Sequence, residues 1–264
     1  MKKIALLIAA ALLSRQLAVR ADEPPKPDEP KTAYLAIVID DFGNNCAGTE
    51  EMLKLPIPIT AAVMPNMPSS TKDAEDFHAA GKCVILHMPM QSDTGKISWL
   101  GPSPVTLDLD AEQVKSLVSS ALDQLKFAEG MNNHMGSTIT KSEPILLHIM
   151  DVLKERDLIC LDSLTTANSK VGVAAEKKGV KYLARDVFLD GTQDPNEIAK
   201  NIKKAASVAK KNGFAIAIGH VGPWGGIPTA NALASLVPSL QAEGIEFLTL
   251  TELYQRLHES LSPL

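Results

Sequence analysis

The chain has 264 residues, a net charge of −5 and an apolar content of 45%. A chain of this length and hydrophobicity can bury a full core, in one α/β domain or in two. The negative net charge argues against a nucleic-acid-binding protein, and the aromatic content of 4% argues against a large stacking surface for bases or sugars.

The N-terminus has the pattern of an export signal. Lys2 and Lys3 give a positive start, and the apolar run from Ile4 to Leu13 is too short to span a bilayer. We therefore interpret residues 1–21 as a signal peptide, or as an uncleaved anchor that would associate the chain with the membrane. This predicts an exported protein of the periplasm or cell envelope.

The following segment, residues 22–32, is rich in proline and charged residues, which predicts a solvated linker. Residues 33–264 are then expected to form a single domain. The three cysteines form no CxxC pair, so neither a zinc ribbon nor a redox dithiol is indicated. Cys83 and Cys160 lie in apolar runs and are expected to be buried thiols.

From residue 34 onward, strand-like and helical patterns alternate. Strands are predicted at Leu35–Ile39, Ile59–Met64, Cys83–Leu86, Phe127–Met131, Leu158–Leu161, Val180–Leu183, Phe214–Ile218 and Ile245–Leu248. Helices are predicted at Ala111–Lys126, Pro144–Arg156, Asn196–Lys211 and Asn231–Ala242. The first of these has a capping signature at Asp110 and Gln113. Repeated parallel βα units favour a closed or nearly closed barrel, with a doubly wound open sheet as the alternative.

Polar residues recur where the predicted strands end, which is the functional edge of both architectures. Asp40 and Asp41 follow the first strand, and two adjacent carboxylates need a cation or a proton to stabilise them. His87, His134 and His220 occupy equivalent positions after later strands. The alternative is that each histidine is only a satisfied polar group at the rim of the barrel.

One aspartate and two neutral imidazoles suit a divalent transition metal, most often zinc, and leave coordination positions for water and substrate. Asp41, His87 and His134 provide such a set. Asp40 could then act as general base and His220 as general acid. The other three histidines, His78, His148 and His258, lie in helical patterns, where structural roles are expected.

Two further patterns stay open at this point. Methionines that include Met88 and Met90 flank the same loops, so Cu(I) binding competes with core packing as an explanation. Trp99 and Trp224 lie in loops rich in glycine and proline, where each could stack on a sugar ring or cover the core.

Taken together, these residues resemble the divergent polysaccharide deacetylase family, a remote branch of the NodB-type carbohydrate esterases. The resemblance runs from about Ala33 to the last helix. The segments that carry it are Ile37–Gly43, His87–Met90, Asn133–Ser137, Leu161–Ser163 with Thr165, Arg185–Asp190 and Gly219-His220.

The resemblance implies a distorted (β/α) barrel of about seven strands, with Asp40 as base, Asp41 as metal ligand and His220 as general acid. In the family, a second histidine follows the first by four positions. Gln91 stands at that position in this chain, and His134 looks like the replacement ligand. The family's arginine-containing motif after the fourth strand is absent.

The function implied is an exported, metal-dependent hydrolase that removes acetyl groups from a cell-envelope carbohydrate. The alternative is a binding protein on the same fold that recognises a glycan or an envelope partner. The residues expected to bind substrate or to support the site are Asn66, Asp162, Ser163, Asp186 and Trp99.

Overall fold

The computed structural model describes residues 32–259. The predicted signal peptide, and the predicted linker as far as residue 31, lie outside the described residues. Within 32–259, no helix has both the length and the apolar character needed to cross a membrane.

Strands and helices alternate along the described chain as the sequence predicts. The strands are Ala33–Phe42 (β1), Thr60–Val63 (β2), Cys83–Met90 (β3), Ala128–Met135 (β4), Ile159–Asp162 (β5), Lys181–Ala184 (β6), Val187–Phe188 (β7), Phe214–His220 (β8) and Ile245–Leu248 (β9). The helices are Thr49–Leu53 (α1), Ser70–Ala79 (α2), Ala111–Gln124 (α3), Glu143–Glu155 (α4), Val171–Lys178 (α5), Pro195–Asn212 (α6), Ile227–Ala242 (α7) and Leu250–Glu259 (α8).

Several strands run further than their apolar sequences indicate. β3 continues through His87 to Met90 because it pairs in parallel with the polar end of β4, as far as Met135. The histidines predicted to follow strands therefore lie inside them. The two-residue strand β7 was not predicted, because two residues carry no measurable periodicity. The capping box predicted at Asp110 and Gln113 is confirmed, with both hydrogen bonds at 2.9 Å.

The strands form one curled parallel sheet in the order β6-β5-β4-β3-β2-β1-β8-β7. β1 is an interior strand of this sheet and pairs with β8 on one side. On its other side, β1 pairs with β9 along its first half and with β2 along its second. No pairing joins β6 to β7 among the described residues, so the barrel is open between them. This is the expected distorted (β/α) barrel.

Alternate residues of each strand pack into two separate apolar cores, because successive side chains point to opposite faces of a sheet. Leu35, Ile37 and Ile39 of β1 face an outer core that the apolar sides of α1 to α7 cover. Ala36 and Val38 face an inner core inside the curl of the sheet. A strand that is buried on both faces reads as a continuous apolar run, which explains the sequence pattern of β1.

The last helix, α8, closes the inner core at the amino ends of the strands. Leu250 and Leu253 belong to the inner core and are fully buried. The Leu250 N–H donates to Thr60 Oγ1 at the start of β2 over 2.9 Å. Thr251 Oγ1 lies 3.4 Å from Cys83 Sγ at the start of β3. With this end closed by a helix, the inner face can accept polar groups only at the opposite, carboxyl end. Cys83 and Cys160 are buried free thiols, as predicted.

The closure predicts a large effect of truncating Leu253. Leu253→Ala should lower the free energy of unfolding by about 2–5 kcal/mol, because a fully buried leucine leaves a cavity that the sheet cannot fill. Leu107→Ala, at a half-exposed leucine, should change it by less than about 0.5 kcal/mol. Urea denaturation of both variants tests this, and equal midpoints would contradict the role given to α8.

Candidate metal and acid–base site

The polar residues of the site continue the inner faces of their strands. Asp40 follows Ala36 and Val38 at two-residue spacing, and His220 follows Ile216 and Ile218 in the same way. Asp40 and His220 are also register partners across β1 and β8. Their side chains therefore point to the same side of the sheet, above the inner core.

The same alternation brings in three residues from the strands on the other side. His87 continues the inner face of β3, Asn132 continues that of β4, and Ser163 directly follows β5 in the same phase. His87 and Asn132 are register partners. All three side chains are buried, so the carboxyl end of the inner face carries a compact polar cluster.

Asp41 joins this cluster only because its own backbone leaves the extended strand conformation for the left-handed region. Strand alternation would direct Asp41 to the outer core, but its φ is +71°, and the β1–β2 register shifts between Ile39 and Phe42. The following turn is held by Asp73, whose Oδ2 accepts from the Gly43 N–H at 2.8 Å. A left-handed conformation is costly for a residue other than glycine, and such strain is concentrated at functional sites.

The turn places the Asp41 carboxylate against two imidazoles. Asp41 Oδ1 lies 3.2 Å from His87 Nε2 and 3.0 Å from His134 Nδ1, and the two nitrogens lie 3.1 Å apart. The side chains of Asp41 and His134 are 17% and 15% exposed, whereas that of His87 is 2% exposed. The three ligand atoms thus converge on a point that solvent and a substrate can reach from one side.

The chemistry of these atoms fits a cation. His134 Nε2 lies 2.9 Å from the Trp99 carbonyl. Because a carbonyl can only accept, this nitrogen carries the proton and His134 Nδ1 presents a lone pair. Asp41 Oδ1 is buried and has no hydrogen-bond donor. A carboxylate oxygen and an imidazole lone pair at this separation repel unless a cation or a proton lies between them. Asp41, His87 and His134 can therefore hold a metal ion.

Burial and charge act in opposite directions on the two carboxylates. Burial would raise the pKa of Asp41, but when the facing imidazoles of His134 and His87 carry a proton, their hydrogen bonds and charges outweigh burial and hold that pKa well below its usual range. Burial does raise the pKa of Asp40, against the opposing charges of His87 and His220. Asp41 therefore favours the ionised form that a metal ligand needs, while Asp40 binds a proton more readily than an ordinary aspartate.

His220 is held by a buried carboxylate on the far side of the cluster. Its Nδ1 donates to Asp190 Oδ1 at 2.7 Å, and Asp190 Oδ2 accepts from the His220 N–H and from Thr229 Oγ1, each at 2.8 Å. Burial disfavours the charged imidazole, but Asp190 and the charges of Asp41 and Asp40 outweigh it and raise the pKa of His220 to about 9. With Nδ1 engaged, Nε2 is the nitrogen available to the site.

Glycine at position 225 makes room for this carboxylate. A Cβ at Gly225 would lie 2.0 Å from Asp190 Oδ2 and 2.4 Å from Thr229 Oγ1. No real side chain tolerates such contacts, so the glycine is required for the Asp190–His220 pair.

The other residues predicted at the site divide into two groups. Ser163 accepts from the Asn132 amide at 3.2 Å, and Trp99 holds His134 through its carbonyl. The hydrogen bonds of Asn66, Asp162 and Asp186 lead elsewhere. The Asn66 N–H donates to Gln124, Asp162 accepts from the Leu164 N–H and from Ser169, and Asp186 accepts from the Ile216 N–H. Asp162 also belongs to the opposite phase of β5 from the inner-face residues Ile159 and Leu161.

Gln91, at the family's second histidine position, does not face the cluster. Its Oε1 accepts from the Leu107 N–H at 3.0 Å, which ties the long β3–α3 loop to β3. His134, one strand further along the sheet, lies beside Asp41 and His87 instead.

Sequence reasoning missed Asn132 and Asp190 as site residues. An asparagine beside the landmark Asn133-His134 carries no signal of its own, and only the pairing of β3 with β4 places it against His87. Asp190 was part of a recognised segment, but its contact with His220 spans 30 residues. The ring of Trp224, which the sequence analysis left as a sugar-stacking or core-covering residue, lies 6.5 Å from that of Trp99, edge to face.

Comparison with known proteins assigns the family. The model of the divergent polysaccharide deacetylase family matches residues 37–254. The chain belongs to this family. It is 34% identical to the uncharacterised protein YibQ of Escherichia coli K12 over 72% of its own length, and it spans 59% of that relative. It is 35% identical to an uncharacterised protein of Haemophilus influenzae, over 78% of this chain and 71% of the relative.

Solved structures show the same fold. The uncharacterised protein ATU2773 of Agrobacterium tumefaciens matches with a TM-score of 0.76 at 20% identity, over 87% of this chain and 92% of that one. The Bc1960 peptidoglycan N-acetylglucosamine deacetylase matches with a TM-score of 0.53 at 14% identity, over 86% and 90%. These likenesses establish a deacetylase-type barrel for this family member.

The Asp190–His220 pair predicts a measurable change in titration. In Asp190→Asn, the pKa of His220 should fall from about 9 toward the usual histidine value of about 6.5, because the charged imidazole loses its buried counter-charge. Asp194→Asn, at an exposed helix cap, should leave it unchanged. NMR titration of the imidazole in protein treated with a chelator measures both, and an unchanged value in Asp190→Asn would contradict the pairing.

Proposed function

We propose that this protein is an exported, metal-dependent hydrolase that removes acetyl groups from a cell-envelope carbohydrate. The observation that carries the proposal is the convergence of Asp41, His87 and His134 next to a buried second carboxylate, Asp40, with His220 on the opposite side. A metal site flanked by a base and an acid is an arrangement that can carry out acyl hydrolysis.

In this proposal the metal would be held by Asp41 Oδ1, His87 Nε2 and His134 Nδ1, and zinc is the ion proposed because one carboxylate and two imidazoles form catalytic zinc sites. When bound, a divalent ion polarises the acyl oxygen and lowers the pKa of water. The remaining steps belong to the side chains of the chain itself.

Asp40 is the base and His220 the acid. Asp40 takes a proton from the water whose oxygen forms the new bond to the acyl carbon. The bond from that carbon to the sugar nitrogen or oxygen then breaks, and His220 Nε2 delivers its proton to the departing atom. The products are acetate and a free amine or hydroxyl. A pKa of about 9 keeps His220 protonated at neutral pH, as a general acid must be.

The rim offers a surface for the sugar. Trp99 and Trp224 are 51% and 49% exposed. The Trp99 carbonyl contacts His134, and Trp224 lies in the turn that follows His220. Exposed indole faces stack on the apolar faces of sugar rings. The family name and the peptidoglycan substrate of the Bc1960 enzyme support a glycan of the envelope, and the signal-like N-terminus supports export.

The first test separates the base from the metal. Asp40→Asn should lower hydrolysis of N-acetylglucosamine oligomers and of 4-nitrophenyl acetate by about 100-fold or more, because the amide cannot take a proton. Zinc content should stay at the wild-type level, since Asp40 is not a ligand in this proposal. Acetate release and elemental analysis of the same samples measure both.

Asp76→Asn, at a partly exposed residue of α2, is the matched control and should retain full activity. An active Asp40→Asn protein would remove Asp40 from the mechanism. If the wild type quenches its tryptophan fluorescence with the oligomers but releases no acetate, the alternative function of a glycan-binding protein replaces this one.

A further inference from the structure

A series of hydrogen bonds runs from the backbone of β4 through Ser163 and the side chain of Asn132 to the candidate metal ligand His87. Ser163 Oγ lies 3.1 Å from the Asn133 carbonyl and 3.2 Å from Asn132 Nδ2. The Asn132 amide then lies 2.8 Å from Asp40 Oδ1 through Nδ2 and 2.7 Å from His87 Nδ1 through Oδ1. Asn132 is fully buried, so no solvent competes for these contacts.

The direction of every bond in this series follows from one group that can only accept. The Asn133 carbonyl has no proton, so the single hydroxyl proton of Ser163 goes to it. Ser163 Oγ must then accept from Asn132, which puts the NH₂ group on that side. The same NH₂ group donates to Asp40, and the opposite orientation of the amide would place two oxygens in contact.

The amide oxygen of Asn132 therefore faces His87 Nδ1, which must carry the proton. His87 Nε2 is left with its lone pair, directed at Asp41 Oδ1 and His134 Nδ1. The protein fixes the tautomer of His87 from the backbone of β4, just as the Trp99 carbonyl fixes that of His134.

We infer that Asn132 is a positioning residue that sets His87 as an Nε2 metal ligand and holds Asp40 apart from it as the base. This inference rests on the proposed function, since it assigns Asn132 a task in that site. Asp40 Oδ1 lies 3.7 Å from His87 Nδ1, so a small movement would let Asp40 take over the imidazole proton. The Asn132 amide forms hydrogen bonds with both His87 Nδ1 and Asp40 Oδ1, and so prevents the transfer of the proton between them.

Two substitutions separate the acceptor of Asn132 from its donor. Asn132→Asp is nearly isosteric and keeps an acceptor for His87 Nδ1. It replaces the amide donor to Asp40 with a second carboxyl, and two buried carboxyl oxygens at this separation share a proton. Asn132→Leu has a similar volume and offers neither an acceptor nor a donor. Asn231→Asp, at an exposed residue of helix α7, is the control for the change of amide to carboxylate.

The measurement is zinc affinity, by competition with a chromophoric chelator, together with hydrolysis of 4-nitrophenyl acetate. Asn132→Leu should bind zinc about 10–100-fold more weakly than the wild type, the usual effect of losing a partner that orients a ligand. Asn132→Asp should recover zinc affinity to within about threefold, while hydrolysis stays reduced by about 100-fold because Asp40 shares a proton with the new carboxyl and cannot take one from water. If Asn132 had only a structural role, Asn132→Asp would not recover zinc affinity while hydrolysis stayed low.

The outcomes distinguish the inference from the proposed function. A wild type that binds no zinc overturns both. A wild type that binds zinc, with both Asn132 variants binding equally well or equally poorly, overturns the inference alone. If Asn132→Leu does not fold, ¹⁵N NMR of the histidines in the zinc-loaded wild type decides. Coordination of His87 through Nε2 with a proton on Nδ1 supports the inference, and the reverse contradicts it.

Discussion

The alternation of side chains along parallel strands is the constraint on which this site depends. The inner face of the curled sheet is filled by small and branched apolar residues, and α8 closes it at the amino ends of the strands. Polar residues in the same phase can lie only at the carboxyl end, where Asp40, His87, Asn132 and His220 meet. Asp41 is the exception, since its left-handed backbone turns it out of phase and into the cluster.

Much of the fold could be predicted from the sequence because it depends on local patterns of apolar and polar residues. Apolar runs separated by amphipathic helices predicted the parallel βα units, and the Asp110–Gln113 spacing predicted a real cap. The residues proposed for metal binding and proton transfer also lie together in the structure, namely Asp40, Asp41, His87, His134 and His220. Their signal was strong because carboxylates and imidazoles are unusual at the ends of buried strands.

The supporting residues Asn132 and Asp190 could not be predicted from the sequence, because their contacts depend on how the strands pair and on the local backbone conformation. Asn132 contacts a residue 45 positions away in the sequence, and Asp190 contacts one 30 positions away. The periodicity of apolar residues along a segment does not predict contacts between such distant positions. Asp162 was expected at the site from its position at a strand end, yet its phase differs from that of the inner face. Strand ends alone identify the edge of the sheet, and register decides which side chains share a face.

The central claim is that Asp41, His87 and His134 bind a divalent metal, and metal content tests it most directly. Elemental analysis should find about one zinc or similar ion per chain, lost in a His87→Ala/His134→Ala double variant. A His78→Ala/His258→Ala variant, which removes two histidines that lie in helices, should retain it. A wild type that contains no metal and takes up none on dialysis against zinc would contradict the account.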